Sequence, residues 1–100
     1  MSYRVALTLP AQEQGWTISD WWSLHRQKAP GLFDSELARG LSFLAAAPLT
    51  GMVHPGLPGE TRRLLLRRSR YHLYYRVFES ERRVEVVAIW HSSQGDAPPL

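Results

Sequence analysis

The chain has 100 residues, 44% hydrophobic and 21% charged, the balance of one globular domain over residues 1–100 and not of a disordered chain. It holds no cysteine, which excludes disulfides, thiolate zinc sites and iron–sulfur clusters, and no apolar run reaches the roughly 18 residues of a membrane-spanning helix. The net charge of +3 is unevenly spread: residues 61–83 carry eight arginines against Glu79 and Glu81, while the segments on either side are slightly acidic.

Residues 3–9 alternate, with Val5, Leu7 and Leu9 on one face, and predict a strand that Pro10 ends. Residues 13–29 change period. Ile18, Trp22, His25 and Ala29 recur at helical spacing, and Thr17 or Ser19 is the expected cap. Trp16, Trp21 and Trp22 read as core or helix-packing residues. Pro30-Gly31 breaks the helix, and a second follows over residues 32–47 with a stripe of Phe33, Leu37, Leu41 and Leu44. The short break predicts an antiparallel helix hairpin. Residues 48–60, rich in Pro and Gly, read as a loop.

Three strand-like runs come next, over residues 61–68, 71–78 and 84–91, with tight turns at Ser69-Arg70 and at residues 79–83. The tail, residues 92–100, reads as irregular. The expected fold is α+β: an N-terminal strand, an antiparallel helix hairpin and a three-stranded antiparallel meander, all strands in one sheet with the helices on one face.

This order, with these residues in it, resembles the RelE/ParE superfamily of toxins from bacterial type II toxin–antitoxin systems. The resemblance spans nearly the whole chain. It rests on the N-terminal strand, on Leu44, Pro48 and Gly51 after the helices, and on the basic run Arg62-Arg63-Leu64. It also rests on the tyrosine-rich run Tyr71-His72-Leu73-Tyr74-Tyr75-Arg76-Val77 and on Val86-Val87-Ala88-Ile89-Trp90-His91 before a polar tail. The resemblance implies a cognate antitoxin that holds the protein in check. The absence of cysteine and of a signal-like hydrophobic stretch in residues 1–5 reads as a cytoplasmic protein, and the small size as one with no cofactor. The resemblance also implies one of two activities. ParE-like members inhibit DNA gyrase, and RelE-like members cleave messenger RNA on the ribosome.

Ribonuclease chemistry requires an acid–base group and cations that stabilise the phosphorane. His91 suits the first role, and Arg63 and Arg76 the second. Arg76 is also placed to pair with Glu85 across a hairpin. The catalytic branch completes its site near the last strand with a further Tyr, Lys or His-Tyr pair. Here no Tyr follows Tyr75 and no Lys follows Lys28, and His91 is followed by Ser92. His72 or a glutamate is the available substitute. The ending favours the ParE-like branch, which needs a docking surface and no catalytic pair. Arg62, Arg63, Arg67, Arg68, Arg70, Tyr71 and Tyr74 are the residues expected to meet a partner protein or nucleic acid, because guanidinium forks and aromatic faces suit carboxylates, phosphates and bases. The tyrosines have a plainer role as packing residues of a strand. His72 and His91 on adjacent strands lack the spacing of a metal site. A family member that only binds its partner, and an RNA-binding sheet, are the remaining readings.

Overall fold

The structure is a computed structural model that describes residues 2–95 and 97–100; Met1 and Asp96 lie outside the described residues. The chain opens with β1 (Arg4–Leu7) and passes directly into α1 (Leu9–His25). Thr8 caps α1: its hydroxyl accepts the Ala11 N–H at 3.3 Å. Pro10 therefore opens the helix and does not end a strand, since a first-turn residue needs no amide donor. The expected cap at Thr17 or Ser19 lies well inside the helix. Leu9, expected on the strand face, is 71% exposed on α1.

Helix α1 buries Ala11, Gly15 and Trp22 and leaves Trp16 and Trp21 largely in solvent, so only one of the three early tryptophans is a core residue. It ends at His25, four residues short of Ala29, with Arg26 as its C-cap; Pro30 disfavours helical geometry at Ala29 itself. α2 (Leu32–Ala46) returns along α1, and the Ala45 carbonyl accepts the Tyr3 N–H at 2.8 Å, beside β1. Its stripe is as expected, with Phe33 and Leu44 fully buried and Leu37 and Leu41 packed against the core. Gly40 lets α2 lie close on the sheet: a Cβ there would fall 2.9 Å from Leu66 Cδ2 and 3.3 Å from Leu73 Cδ1.

Five strands form one mixed sheet in the order β1-β5-β4-β3-β2. The meander is β3 (Arg62–Leu66), β4 (Tyr71–Phe78) and β5 (Arg83–His91), antiparallel throughout. Two features differ from the expectation. The loop contributes a two-residue strand β2 (Met52–Val53) that pairs with β3, and β1 runs parallel to β5, with Val5 beside Val84. The parallel pairing follows from the helix hairpin, which brings the chain back across one face of the sheet before the meander starts.

The two faces differ. Leu64, Leu66, Leu73, Tyr75, Val84, Val86 and Ile89 meet the helices. The other face carries a smaller cluster of Tyr74, Val87 and Ala88 with Leu57 and Trp90 packed on it. A β-bulge between Tyr74 and Tyr75 sets Tyr74 opposite Ala88 but Tyr75 opposite Val86, leaving Val87 as the extra residue.

One buried carboxylate ties the layers together. Glu36 on α2 accepts the N–H of Arg68 at 2.7 Å, the N–H of Ser69 at 2.8 Å and the Ser69 hydroxyl at 2.6 Å, closing the β3–β4 turn. Burial pushes the Glu36 carboxyl up, but these hydrogen bonds and the charge of Arg39 outweigh it and hold the group below its ordinary 4.5. A depressed carboxyl contributes stability that is present above the unfolded value and lost as pH falls through the folded one. Glu36→Gln should cost about 1–3 kcal/mol at pH 7. In urea melts at a series of pH values, its deficit against the parent should shrink as pH falls below the ordinary carboxyl range; a pH-independent deficit would contradict the charge argument.

Candidate functional site

The outer face of the sheet brings together residues from three elements. Arg63 on β3 stands opposite Tyr74 on β4, and His72 stands opposite Trp90 on β5. His54, just beyond β2, joins them because its N–H donates to the Thr61 carbonyl at 2.8 Å, extending the β2–β3 ladder. Together with His91, these side chains line a small cleft of about 90 Å³. The His54 and His72 rings lie 6.2 and 5.9 Å from the Tyr74 ring. His54 Nδ1 lies 3.1 Å from the Gly56 N–H, which donates to it. His72 is held below its ordinary 6.5, first by burial and then by the positive charges of Arg63, Arg70 and His54. It is therefore a neutral acceptor near pH 7.

His91 sits at the rim. Its ring meets the Tyr71 ring edge-on at 4.8 Å, and its Nδ1 accepts the Ser93 N–H at 3.1 Å with the Ser93 hydroxyl 2.7 Å away. Its own N–H donates to Gln94 Oε1 at 3.0 Å. This fixes the imidazole at the start of a short 3₁₀ turn, Ser92–Gln94.

Arg76 is elsewhere. It lies five residues along β4 from Tyr71, the partner of His91, which is about 17 Å of strand. Its Nε donates to the buried Thr61 hydroxyl at 3.1 Å. Glu85 stands opposite Arg76 in register, yet its carboxylate accepts from Arg83 at 3.2 Å. The structure thus brings Arg63 and His91 to one cleft and does not bring Arg76 to it.

The remaining arginines divide into two groups. Arg62 donates to the carbonyls of Gly51 at 2.7 Å and Leu49 at 3.2 Å, while the Gly51 N–H donates to the Tyr75 hydroxyl at 2.9 Å. Arg62 is therefore committed to folding the loop. A Cβ on Gly51 would collide with the Tyr75 hydroxyl and fall 2.7 Å from the Arg63 carbonyl, so the site requires glycine. Burial raises the Tyr75 hydroxyl above its ordinary 10, so it stays neutral. Arg63, Arg67, Arg68 and Arg70 are exposed, and among the described residues none has a carboxylate within ion-pair distance of its guanidinium. Tyr71 is half-buried and Tyr74 is 2% exposed, so Tyr74 supports the cleft floor more than it offers a face to a ligand. Among the described residues, no group of three His, Asp or Glu is placed to hold a metal.

Sequence reasoning missed His54 and Trp90. Trp90 was within reach, since it alternates with Ala88 beside the His72/Tyr74 face. His54 lay in a loop whose pairing to β3 left no periodic signal.

A helix hairpin over a mixed five-stranded sheet, with an arginine-rich meander, is an architecture this chain shares with solved toxins of ParDE and RelBE systems. The model of the ParE toxin family of parDE systems matches residues 5–95, and the chain belongs to that family. Among solved structures, a chain of the chromosomal ParDE system of P. aeruginosa superposes with a TM-score of 0.71 at 19% identity, covering 90% of this chain and 96% of that one. A chain of the RelBE2 complex of Mycobacterium tuberculosis gives 0.66 at 20%, covering 91% and 92%. A mutant E. coli RelE toxin in the free state gives 0.62 at 19%, covering 95% and 88%. No curated protein sequence matches the chain.

Two measurements test this geometry. In an NMR titration, the His72 ring should protonate below pH 6.5, and Arg63→Gln should move its midpoint upward by removing a nearby charge; an unmoved midpoint would place Arg63 too far away to act. Because the folded value is depressed, the contribution of His72 to stability is present above pH 6.5 and lost as pH falls through the folded value. Gly51→Ala should destabilise the fold by about 1–3 kcal/mol through overpacking. Tyr75→Phe in the same chain should recover part of that loss in a double-mutant cycle, and strict additivity would count against the collision.

Proposed function

We propose that the protein is a ParE-like toxin that arrests growth by docking on DNA gyrase and that a cognate antitoxin neutralises it in the cytoplasm. The observation that carries this reading is the separation of Arg76 from His91. The two groups that would share one phosphodiester are about 17 Å apart along β4, and each is engaged by its own neighbours. A docking toxin needs no such pair. It needs a rigid surface, and Arg63, Arg67, Arg68 and Arg70 supply one with uncommitted guanidinium groups, suited to acidic segments of an antitoxin or target. The ParE family match over residues 5–95 supports the same branch.

A second reading has its own support. His54, His72 and Arg63 line one cleft, with His72 held neutral, and that is the composition of a general base beside a charge stabiliser. On this reading the protein is a ribosome-dependent endoribonuclease whose acid–base work falls to His72 or His54.

One paired assay separates them. Purified protein is added to gyrase supercoiling reactions and, in parallel, to translating ribosomes with a mapped message. The docking reading expects supercoiling to fall and the message to stay intact. It also expects His72→Ala to retain inhibition within about twofold. Intact supercoiling with cleaved message, abolished by His72→Ala, would overturn it in favour of the nuclease. Expression should arrest growth in either case, and coexpression of the neighbouring antitoxin gene should restore it.

A further inference from the structure

A second cleft, of about 300 Å³, opens where the end of α1 meets the β3–β4 turn and the end of β5. Trp22, Arg26, Arg68, Arg70, Tyr71 and His91 line it. Three of these side chains carry guanidinium groups, and among the described residues none of the three is ion-paired. The Arg26 guanidinium carbon lies 5.4 Å from the Trp21 ring centroid and 5.7 Å from that of Trp22, which favours its lying along the cleft. Arg70 occupies a left-handed conformation, with φ of 70°, in the turn that Glu36 closes from beneath. Glu36 is the nearest carboxylate the structure ties to this turn, and its oxygens are taken by the Arg68 and Ser69 N–H groups and the Ser69 hydroxyl.

Trp22 floors the cleft. The residue is 8% exposed and its indole nitrogen is enclosed beside the Tyr71 hydroxyl, which burial raises above its ordinary 10 and the Trp22 N–H lowers in part. Its indole therefore reports on whatever occupies the cleft.

The cleft is not isolated. A neighbouring one of about 250 Å³ shares Trp22 and Arg26 with it and continues past His25 and Lys28. The pair forms a basic track lined by no carboxylate, and Ala29 is the one aliphatic side chain along it. The apolar surface of the track is aromatic, from Trp21, Trp22 and Tyr71, and it holds no aliphatic pocket of the kind that seats the side chains of a peptide strand or helix. A nucleic-acid backbone needs only repeated cationic forks.

We propose that this track binds the phosphodiester backbone of a nucleic-acid strand, with Arg26, Arg68 and Arg70 donating to its phosphates over the Trp22 floor. The site is distinct from the outer-face cleft and stands whichever target the toxin arrests. It reads backbone and not base, so its affinity is salt-dependent and nearly indifferent to sequence.

Two measurements on the purified full chain test it. The Trp22 indole resonance, assigned by its loss in Trp22→Phe, is followed during titration with a ten-nucleotide oligothymidine, with inorganic phosphate and with a hexaglutamate peptide. The oligonucleotide should shift it, and at concentrations where phosphate and hexaglutamate do not. Fluorescence anisotropy of the labelled oligonucleotide then gives affinity. Arg68→Gln with Arg70→Asn should weaken binding at least about tenfold and lower the salt slope by about two. Arg4→Gln with Arg82→Asn, which removes equal charge at the far end of the sheet, should change affinity less than threefold. All four residues are exposed, so the variants should fold like the parent. Equal weakening by both pairs, or an unshifted Trp22, would overturn the proposal. A hexaglutamate shift at equal or lower concentration would assign the track to an acidic protein, and a phosphate shift at equal concentration would assign it to a small anion.

Discussion

The arrangement of side chains on this molecule depends on a single extra residue in β5. Before Val87 the even-numbered positions Val84 and Val86 face the helices; after it the odd-numbered Ile89 and His91 do. A strand alternates strictly, so a phase change of this kind requires a bulge. Its consequences reach both clefts. Trp90 turns to the outer face beside His72, and His91 turns inward to meet Tyr71 at the rim near α1. An unbulged β5 would exchange those two side chains, leaving His91 on the outer face and Trp90 against the helix pair.

The arginines of the basic segment, residues 61–83, do different jobs, and neighbourhood decides which. Arg62 and Arg76 act on the loop between α2 and β3, one through the carbonyls of Leu49 and Gly51 and the other through the Thr61 hydroxyl. Arg83 is balanced by Glu81 and Glu85 and lies over the Phe78 ring at 4.1 Å. Arg82 lies over the Tyr3 ring at 5.7 Å, and Arg63, Arg67, Arg68 and Arg70 cluster on β3 and its following turn with no ion pair among the described residues. That turn is rigid because Glu36 spends a buried charge on its amides, so the uncommitted guanidinium groups project from a fixed platform. A domain of this size has little interior to build a substrate cavity. Its functional capacity lies on the surface, where ordered cations cost little entropy to engage.

The sequence by itself determined the helix hairpin, the meander and the order of every element but β2, because these follow from local periodicity and from Pro and Gly breaks. It determined the location of the charge excess, and the family resemblance followed from the same residues. It misread the entry into α1, since an amide-free Pro10 is as compatible with a helix start as with a strand end and only the Thr8 cap decides. It treated Trp16, Trp21 and Trp22 alike, although rotation about the helix axis buries one and exposes two.

Tertiary structure alone decided the composition of the clefts. The parallel pairing of β1 with β5, the short β2 that carries His54 to the outer face, and the parity change at Val87 are all contacts between residues far apart in the chain. None leaves a local pattern. The same holds for Arg76 and His91, neighbours in a list of chemically suitable residues and well separated on the sheet. Chemistry of a residue type is written in its own side chain, but which residues act together is set by register, and register is fixed only when the whole sheet closes on its core.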